Sequence, residues 1–342
     1  MTGLRRGAGT RRDFVKGLAA LAGSATLLGY DTRIATAEPL PETTKLRIFE
    51  GPVTCIAPQL VAQELLYGEG FTDVQYVNYP RDSKLWPPEN LVSGEVDISL
   101  SFVPSDLTHI EAGEPVAILA GSHNGCVEIV GNDRIRSTHD LKGRSVGIQR
   151  LNSDEHYFVS MFAAYVGLDP ARDINWVISP AARRVRDFEE GRIDAFMSGP
   201  PHSQELRDKK IGHVFINITT DRPWSNYVCC LIASSKEFVR KNPVATKRAL
   251  RAILKGADVC AHEPERVARL VADRGLARYD YALQGIKELP YAQWREYDPE
   301  DAMRFYSLRM RDVGMLKSSP QKIIAQGADW RFLGQLKREL KA

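Results

Sequence analysis

The 342-residue sequence lacks a charge excess, a long apolar run and a cysteine cluster, and each absence excludes a class of protein. Residues 1–37 hold six basic and two acidic side chains, which leaves 40 basic and 41 acidic groups in the rest of the chain. A nucleic-acid-binding protein carries a basic excess or stripe, so no nucleic acid partner is expected. No later stretch reaches 18 apolar residues, so the sequence predicts a soluble mature protein.

Cysteine and histidine patterns argue against a metal or cofactor. An odd number of cysteines cannot pair completely within one chain, and no C-x-x-C spacing is present. The five are Cys55, Cys126, Cys229, Cys230 and Cys260. Buried free thiols are therefore favoured over disulfides. The seven histidines show neither H-E-x-x-H nor a pair four residues apart, so we predict no metal site and no cofactor.

The sequence also lacks the common signatures of catalysis. It contains no phosphate-binding P-loop and no G-x-G-x-x-G dinucleotide fingerprint. In the run from Gly121 to Gly125, Ser122 stands one position too early for a G-x-S-x-G nucleophile elbow. We therefore predict no catalytic residue and no enzymatic activity.

Residues 1–37 have the composition of an export signal. Arg11 and Arg12 precede Phe14 and Lys16, a mildly apolar run follows, and Ala-Thr-Ala ends at Ala37. Basic, apolar and A-x-A regions in that order are typical of a secretory signal, and the paired arginines resemble the twin-arginine type. We expect cleavage near Ala37 and a periplasmic mature protein.

Strand and helix patterns alternate through the mature chain. Residues 45–50 alternate with period two and predict a strand, whereas residues 57–67 have helical spacing. A second α/β unit begins after residue 133, and long helical patterns dominate after residue 234. This order predicts two mostly parallel sheets flanked by helices and a helical C-terminal region, with the chain crossing between units near residues 127–130 and 226–231.

Four segments in this order resemble periplasmic substrate-binding proteins of the nitrate/sulfonate/taurine type. They are D-L-K-G-R-S-V-G-I at 140–148, Y-V-G-L-D-P at 165–170, G-R-I-D-A-F at 191–196 and F-V-R-K-N-P at 238–243. The resemblance runs from about Leu46 to Leu333 and implies the type II bilobal fold. Its lobes would be residues 44–128 with 230–342, and residues 129–229. It also implies a monomeric receptor that captures a small solute and delivers it to the transmembrane permease subunits of an ABC importer.

Ligands of open α/β sheets bind outside the carboxyl ends of strands, where helix N-termini present unpaired N–H groups. The loops at those ends supply the predicted ligand-binding residues, which are Thr54, Cys55, Ser101, Phe102, His123, Asn152, Ser153 and Pro200. Sulfonates, carboxylates, aromatics and pyrimidine-like molecules are candidate ligands. Asp154 and Glu155 in the first turn of a helix weaken attraction for a free anion, which favours neutral, aromatic or zwitterionic solutes.

Two alternatives share this fold. Pyrimidine-precursor synthases of thiamine biosynthesis look similar but carry a cysteine-rich metal motif and work in the cytosol, whereas this chain offers only the pair Cys229-Cys230. A periplasmic sensor-input module without transport is the other alternative.

The family resemblance also implies that the two crossings run side by side, with Cys126 near Cys229 or Cys230. Adjacent side chains on a strand point to opposite faces, so we expect at most one of that pair to meet Cys126. A disulfide is geometrically possible there, but free thiols are favoured because a cross-link would stiffen the hinge.

Overall fold

Two five-stranded sheets organise the chain over residues 38–80 and 83–340, which are the residues that the computed structural model describes. The predicted export signal at residues 1–37 lies outside the described residues. In chain order the strands are β1 (Lys45–Glu50), β2 (Asp73–Asn78), β3 (Ile98–Phe102), β4 (Val116–His123), β5 (Glu128–Gly131), β6 (Arg144–Ile148), β7 (Ile174–Ile178), β8 (Ala195–Ser198), β9 (His213–Asn217) and β10 (Cys230–Ser235).

The two sheets have the same arrangement. The first has the order β2-β1-β3-β10-β4 and the second the order β7-β6-β8-β5-β9. In each, three neighbouring strands are parallel, and the fourth strand in the order, β10 or β5, is antiparallel to both of its neighbours. The prediction of mostly parallel sheets is confirmed, with one antiparallel strand in each.

β1 and β4 show how sequence pattern follows burial. In β1, Leu46 and Ile48 are buried and Lys45 is exposed, as period-two alternation requires. All eight residues of β4 are buried although it ends the sheet order. The backbone N–H of Asp329 donates to the carbonyl oxygen of Ile118 at 2.9 Å, so the C-terminal region covers this edge.

Helices cover both sheets. In chain order they are α1 (Ala57–Val61), α2 (Gln63–Gly68), α3 (Glu89–Val92), α4 (Val103–Glu111), α5 (Asp154–Tyr165), α6 (Ala181–Glu189), α7 (His202–Asp208), α8 (Lys236–Lys241), α9 (Pro243–His262), α10 (Pro264–Asp273), α11 (Tyr279–Glu288), α12 (Pro299–Asp312), α13 (Pro320–Gly327) and α14 (Arg331–Glu339). Among the described residues, no helix has both the length and the apolarity needed to span a bilayer.

The first predicted helix, over residues 57–67, is divided into α1 and α2. Ala62 between them has ψ of −9° instead of about −42°, which interrupts the α-helical hydrogen-bond pattern. α1 lies against α9, where Gly256 meets the carbonyl oxygen of Pro58. A residue without a side chain is required for the two backbones to approach so closely.

The chain passes between the sheets twice within the described residues. It leaves the first sheet after His123 and enters the second at Glu128, and it returns between Asn217 and Cys230. These positions agree with the predicted crossings near residues 127–130 and 226–231. The described residues from Leu40 onward form one compact unit, and the division into lobes at residues 128/129 and 229/230 stays a prediction.

Candidate functional site

A cavity of about 150 Å³ is lined by residues of both halves of the molecule. The first sheet contributes Phe49 near the end of β1 and Ser101 and Phe102 at the end of β3. The second half contributes the loop from β6 to α5, including Ser153, and Pro200 after β8. The wall is therefore built at the carboxyl ends of strands, as expected for ligand sites of open α/β sheets.

The cavity wall is rich in aromatic, hydroxyl and sulfur groups. Phe49, Trp86 and Phe102 line it together with four serines and three cysteines. The ring centroids of Phe49 and Trp86 are 5.1 Å apart in an edge-to-face arrangement. This composition suits a ligand with an apolar, flat body and a few hydrogen-bonding groups.

The charged groups of the wall are acidic in excess. Glu89, Asp154 and Glu155 face one basic residue, Arg150. The Nη2 atom of Arg150 donates to a carboxylate oxygen of Glu89 at 2.8 Å, and its Nη1 donates to the carbonyl of Asn152 at 2.9 Å. The guanidinium is thus already neutralised within the protein.

The N-terminus of α5 is satisfied by the protein itself. Ser153 is the N-cap, and its hydroxyl accepts from the backbone N–H of His156 at 3.4 Å. The carboxylate of Glu155 accepts from the backbone N–H of Gln149 at 2.6 Å and pairs with the buried guanidinium of Arg184. The positive end of this helix dipole is therefore complemented by the Glu155 carboxylate from within the protein.

Asp154 joins the two halves of the wall. Its Oδ1 accepts a hydrogen bond from the hydroxyl of Ser105 at 2.7 Å, which links the start of α5 to the start of α4. Burial raises the pKa of Asp154 to about 8, against the lowering effect of the Ser105 hydrogen bond. Burial likewise holds the pKa of the neighbouring Asp106 well above its usual range, although the Ser101 hydroxyl donates to it. The carboxyl of Asp154 is thus mostly protonated near neutral pH, and the pKa of Asp106 beside it is raised in the same direction.

The structure brings together most of the residues predicted to bind ligand. Those that line the cavity are Cys55, Ser101, Phe102, Ser153 and Pro200. Thr54 and His123 are fully buried and are not part of its wall, although the backbone N–H of Thr54 donates to the carbonyl of Pro200 at 3.1 Å. Asn152 is exposed, with a left-handed φ of 59°, and also lies outside the wall.

Several wall residues were not predicted from sequence. Ser105 lies in the first turn of α4, a helix that the sequence analysis did not predict. Trp86 lies in a proline-rich segment without strand or helix periodicity, so the sequence pattern did not predict its position in the wall. Arg150 lies two residues after β6 in the same loop as Ser153, and this position in the sequence could have identified it.

Three sulfur atoms and one imidazole meet beside the cavity. The Sγ of Cys126 lies 3.4 Å from that of Cys229 and 3.6 Å from that of Cys230, and the latter two are 3.5 Å apart. The predicted proximity of Cys126 to this pair is confirmed. All five cysteines are buried and carry free thiols.

The expectation that at most one of Cys229 and Cys230 meets Cys126 is wrong. Strand alternation does not separate the two side chains, because Cys229 precedes β10, which begins at Cys230. The pairing of β10 with β4 also shifts its register immediately after Cys230. Cys126 itself has a left-handed φ of 70°.

The thiols of the sulfur cluster differ in pKa, because burial raises the pKa of Cys126 and of Cys229 well above the usual range. Burial opposes a charged thiolate, yet hydrogen bonds from the other cysteines and the positive charge of His123 hold the pKa of Cys230 well below its usual range. Burial would also lower the pKa of His123, but the charge of Cys230 and two carbonyl groups raise it. Cys126 and Cys230 both line the cavity, so this cluster forms part of its wall.

Comparison with solved structures shows the fold. The periplasmic nitrate-binding protein NrtA from Synechocystis PCC 6803 superposes with a TM-score of 0.74 at 17% identity, covering 89% of this chain and 90% of that one. The alkanesulfonate-binding protein SsuA from Xanthomonas axonopodis pv. citri, solved with MOPS, gives 0.66 at 15% identity, covering 86% and 100%. The predicted periplasmic-binding-protein fold is thereby confirmed.

Comparison of sequences shows the family. The nitrate/nitrite binding protein NrtA of Nostoc sp. strain PCC 7120 is 24% identical over 265 residues, which are 69% of this chain and 59% of that protein. The match therefore spans less than two thirds of this relative's length. The model of the NMT1-like family matches residues 40–274. The chain belongs to the NMT1-like family, and its resemblance to substrate-binding proteins of the nitrate/sulfonate/taurine type is confirmed.

Proposed function

We propose that the protein is a periplasmic receptor that binds a small organic solute between two lobes and delivers it to an ABC importer. The lobes are residues 44–128 with 230–342, and residues 129–229. The observation that carries this proposal is a cavity whose wall comes from strand ends of both sheets, close to both chain crossings. Such an arrangement closes around a ligand by hinge motion. Relatives named as nitrate-, bicarbonate- and alkanesulfonate-binding proteins support binding without catalysis.

The solute that this wall favours is neutral, aromatic or zwitterionic. Three carboxyl groups face one guanidinium that is already paired, so a small inorganic anion such as nitrate finds no free positive charge among the wall residues. The aromatic side chains offer stacking surfaces, and the serine hydroxyls offer hydrogen bonds. A cavity of about 150 Å³ holds a ligand on the order of benzene in size. Sulfonates, carboxylates and pyrimidine-like molecules are the classes to compare.

A thermal-shift screen of the mature protein against these classes tests the proposal. A ligand that binds only the folded state adds about 2.7 kcal/mol when present at 100 times its Kd. The expected hit is a small aromatic or zwitterionic molecule, and solution scattering should then show a smaller radius of gyration. Tight binding of nitrate alone would contradict the proposed solute class. A tight ligand that leaves the scattering profile unchanged would contradict the transport role.

A matched pair of tryptophan variants tests the location of the site. Trp86→Ala removes an aromatic wall residue, whereas Trp330→Ala removes a tryptophan whose Nε1 donates to Glu300 at 3.0 Å, outside the wall. We expect Trp86→Ala to weaken binding of the identified solute by about 10-fold or more. Trp330→Ala should keep the wild-type affinity in calorimetry. Equal losses in both variants would place the solute elsewhere.

The export route is tested separately. Replacing Arg11 and Arg12 by lysine should leave the precursor in the cytoplasm, because the twin-arginine signal is read by a receptor. Unchanged accumulation in the periplasm would contradict the export assignment and leave the solute-binding proposal standing.

A further inference from the structure

We propose that His123, Cys126, Cys229 and Cys230 form a binding site for one thiolate-preferring metal ion, Zn²⁺ by its donor set. The four side chains are buried, and their ligand atoms all lie within 4.8 Å of one another. Three sulfurs and one imidazole nitrogen make one of the common donor sets of four-coordinate zinc. This inference goes beyond solute binding and stands whether or not the solute is identified.

The sulfur positions match a tetrahedral ion. With metal–sulfur bonds of about 2.3 Å, the sulfurs of a tetrahedral site lie about 3.8 Å apart. The observed separations among Cys126, Cys229 and Cys230 are 3.4, 3.6 and 3.5 Å. Small outward shifts of the three side chains would therefore admit an ion. The histidine nitrogen completes the fourth corner from within 4.8 Å of every sulfur.

Each ring nitrogen of His123 faces a backbone carbonyl oxygen, so the nitrogen that binds the ion has to turn away from its carbonyl while the other keeps its own. The Nδ1 atom of His123 lies 3.0 Å from the carbonyl oxygen of Asn124, and its Nε2 lies 3.1 Å from that of Cys55. Whichever nitrogen binds the ion, the N–H of the other has a carbonyl acceptor, which is the usual second partner of a ligating histidine. The thiol of Cys229 similarly contacts the carbonyl of Gly125.

Backbone strain is found at one of the four ligands. Cys126 has a φ of 70°, a left-handed conformation that is unfavourable for a non-glycine residue. Residues held in such conformations concentrate at functional sites. Burial of three thiols and an imidazole at one point is also poorly explained by packing alone, since an apolar core would satisfy the same volume without polar groups.

The proposed ion would connect both chain crossings. His123 ends β4 and pairs with Cys230 at the start of β10, while Cys126 and Cys229 lie in the two crossing segments. An ion bound to all four would hold the two segments together at the edge of the cavity. Metal binding should therefore stabilise the fold as well as shape one wall of the site.

Cobalt titration of the full mature chain tests the proposal. Reduced, chelator-treated protein is titrated with Co²⁺ and then with Zn²⁺. We expect one Co²⁺ per chain with sulfur-to-cobalt charge-transfer absorption and intense tetrahedral bands, both abolished by Zn²⁺. Cys126→Ser and Cys229→Ser should each weaken Co²⁺ affinity by at least about 100-fold, since loss of a mere supporting partner already costs 10–100-fold. The matched control Cys260→Ser, a buried cysteine of α9 outside the cluster, should bind normally.

A measurement on the unmutated protein keeps the test independent of variant folding. X-ray absorption of the zinc-loaded chain should show three sulfurs at about 2.3 Å and one nitrogen at about 2.0–2.1 Å. A shell of oxygen and nitrogen atoms without sulfur would overturn the proposal, as would failure of the reduced wild-type protein to bind either ion stoichiometrically. A disulfide found among these cysteines, with no metal bound after its reduction, would overturn it as well.

Discussion

Replacement of Asp154 by asparagine tests how one half-buried carboxyl group, at the contact between α4 and α5, changes the stability of the protein with pH. Asp154 begins α5, and its Oδ1 accepts a hydrogen bond from the Ser105 hydroxyl at 2.7 Å. Burial raises the pKa of Asp154 to about 8, the negative charge of Glu89 adds to the rise, and the Ser105 hydrogen bond and Arg150 oppose it. The carboxyl is therefore mostly protonated at neutral pH and becomes charged as the pH passes 8. Asparagine keeps the shape and an acceptor for Ser105 but cannot ionise.

The direction in which stability changes with pH follows from proton binding in the folded and unfolded states. An unfolded aspartate ionises near its ordinary value of 3.8, so from about pH 4 to pH 8 the folded protein binds more protons and loses stability as the pH rises. Between pH 5 and pH 8 the loss is at most about 4 kcal/mol, at 1.36 kcal/mol per pH unit. Asp154 is half-buried and lines the cavity, so its carboxylate is only partly desolvated and this upper limit is reduced. We therefore expect a loss on the order of 2 kcal/mol.

Denaturant unfolding of both proteins at pH 5, 7 and 9 measures this loss. The Asp154→Asn variant should gain about 2 kcal/mol relative to the wild type between pH 5 and pH 9, because the other titrating groups are common to both proteins. The matched control is Asp280→Asn, an exposed aspartate in the first turn of α11, to which the burial argument does not apply. A stability difference for Asp154→Asn that stays constant across this pH range would refute the reasoning.

Two further stability predictions follow from close packing and from a buried ion pair. Gly256→Ala should destabilise the protein by about 1–3 kcal/mol, because the added Cβ would overlap the carbonyl oxygen of Pro58. The control Gly334→Ala lies in an open stretch of α14 and should stabilise the protein by up to about 1 kcal/mol. Equal effects of the two variants in thermal denaturation would contradict the packing argument. Arg184→Ala should lower the free energy of unfolding by about 3–5 kcal/mol, because it removes the guanidinium that pairs with Glu155. The control Arg266→Ala removes a side chain that is 49% exposed and should lower it by less than about 1 kcal/mol. Equal urea midpoints for the two variants would argue against the buried ion pair.

The alternation of strands and helices, the two crossings and the location of most wall loops could be predicted from the amino-acid sequence. Strand patterns at residues 45–50, 144–148 and 174–178 coincide with β1, β6 and β7, because the residue pattern of a strand is a local property of the chain. The neutral charge balance after residue 37 also follows from the sequence, and the family resemblance implies that Cys126 lies near Cys229 or Cys230. These features depend on neighbours in sequence, or on a topology that the order of elements implies.

The tertiary structure alone decided which side chains meet. Trp86, Ser105 and Asp154 line one cavity although they are distant in sequence. Local periodicity cannot predict which strand ends and helix starts lie together in the fold. The meeting of both Cys229 and Cys230 with Cys126 depends on where β10 begins and on a register shift, since side-chain alternation holds only inside a regular strand. The raised pKa of Asp154 also depends on the tertiary structure, because elements distant in sequence bury its side chain. The residue type alone does not reveal that burial.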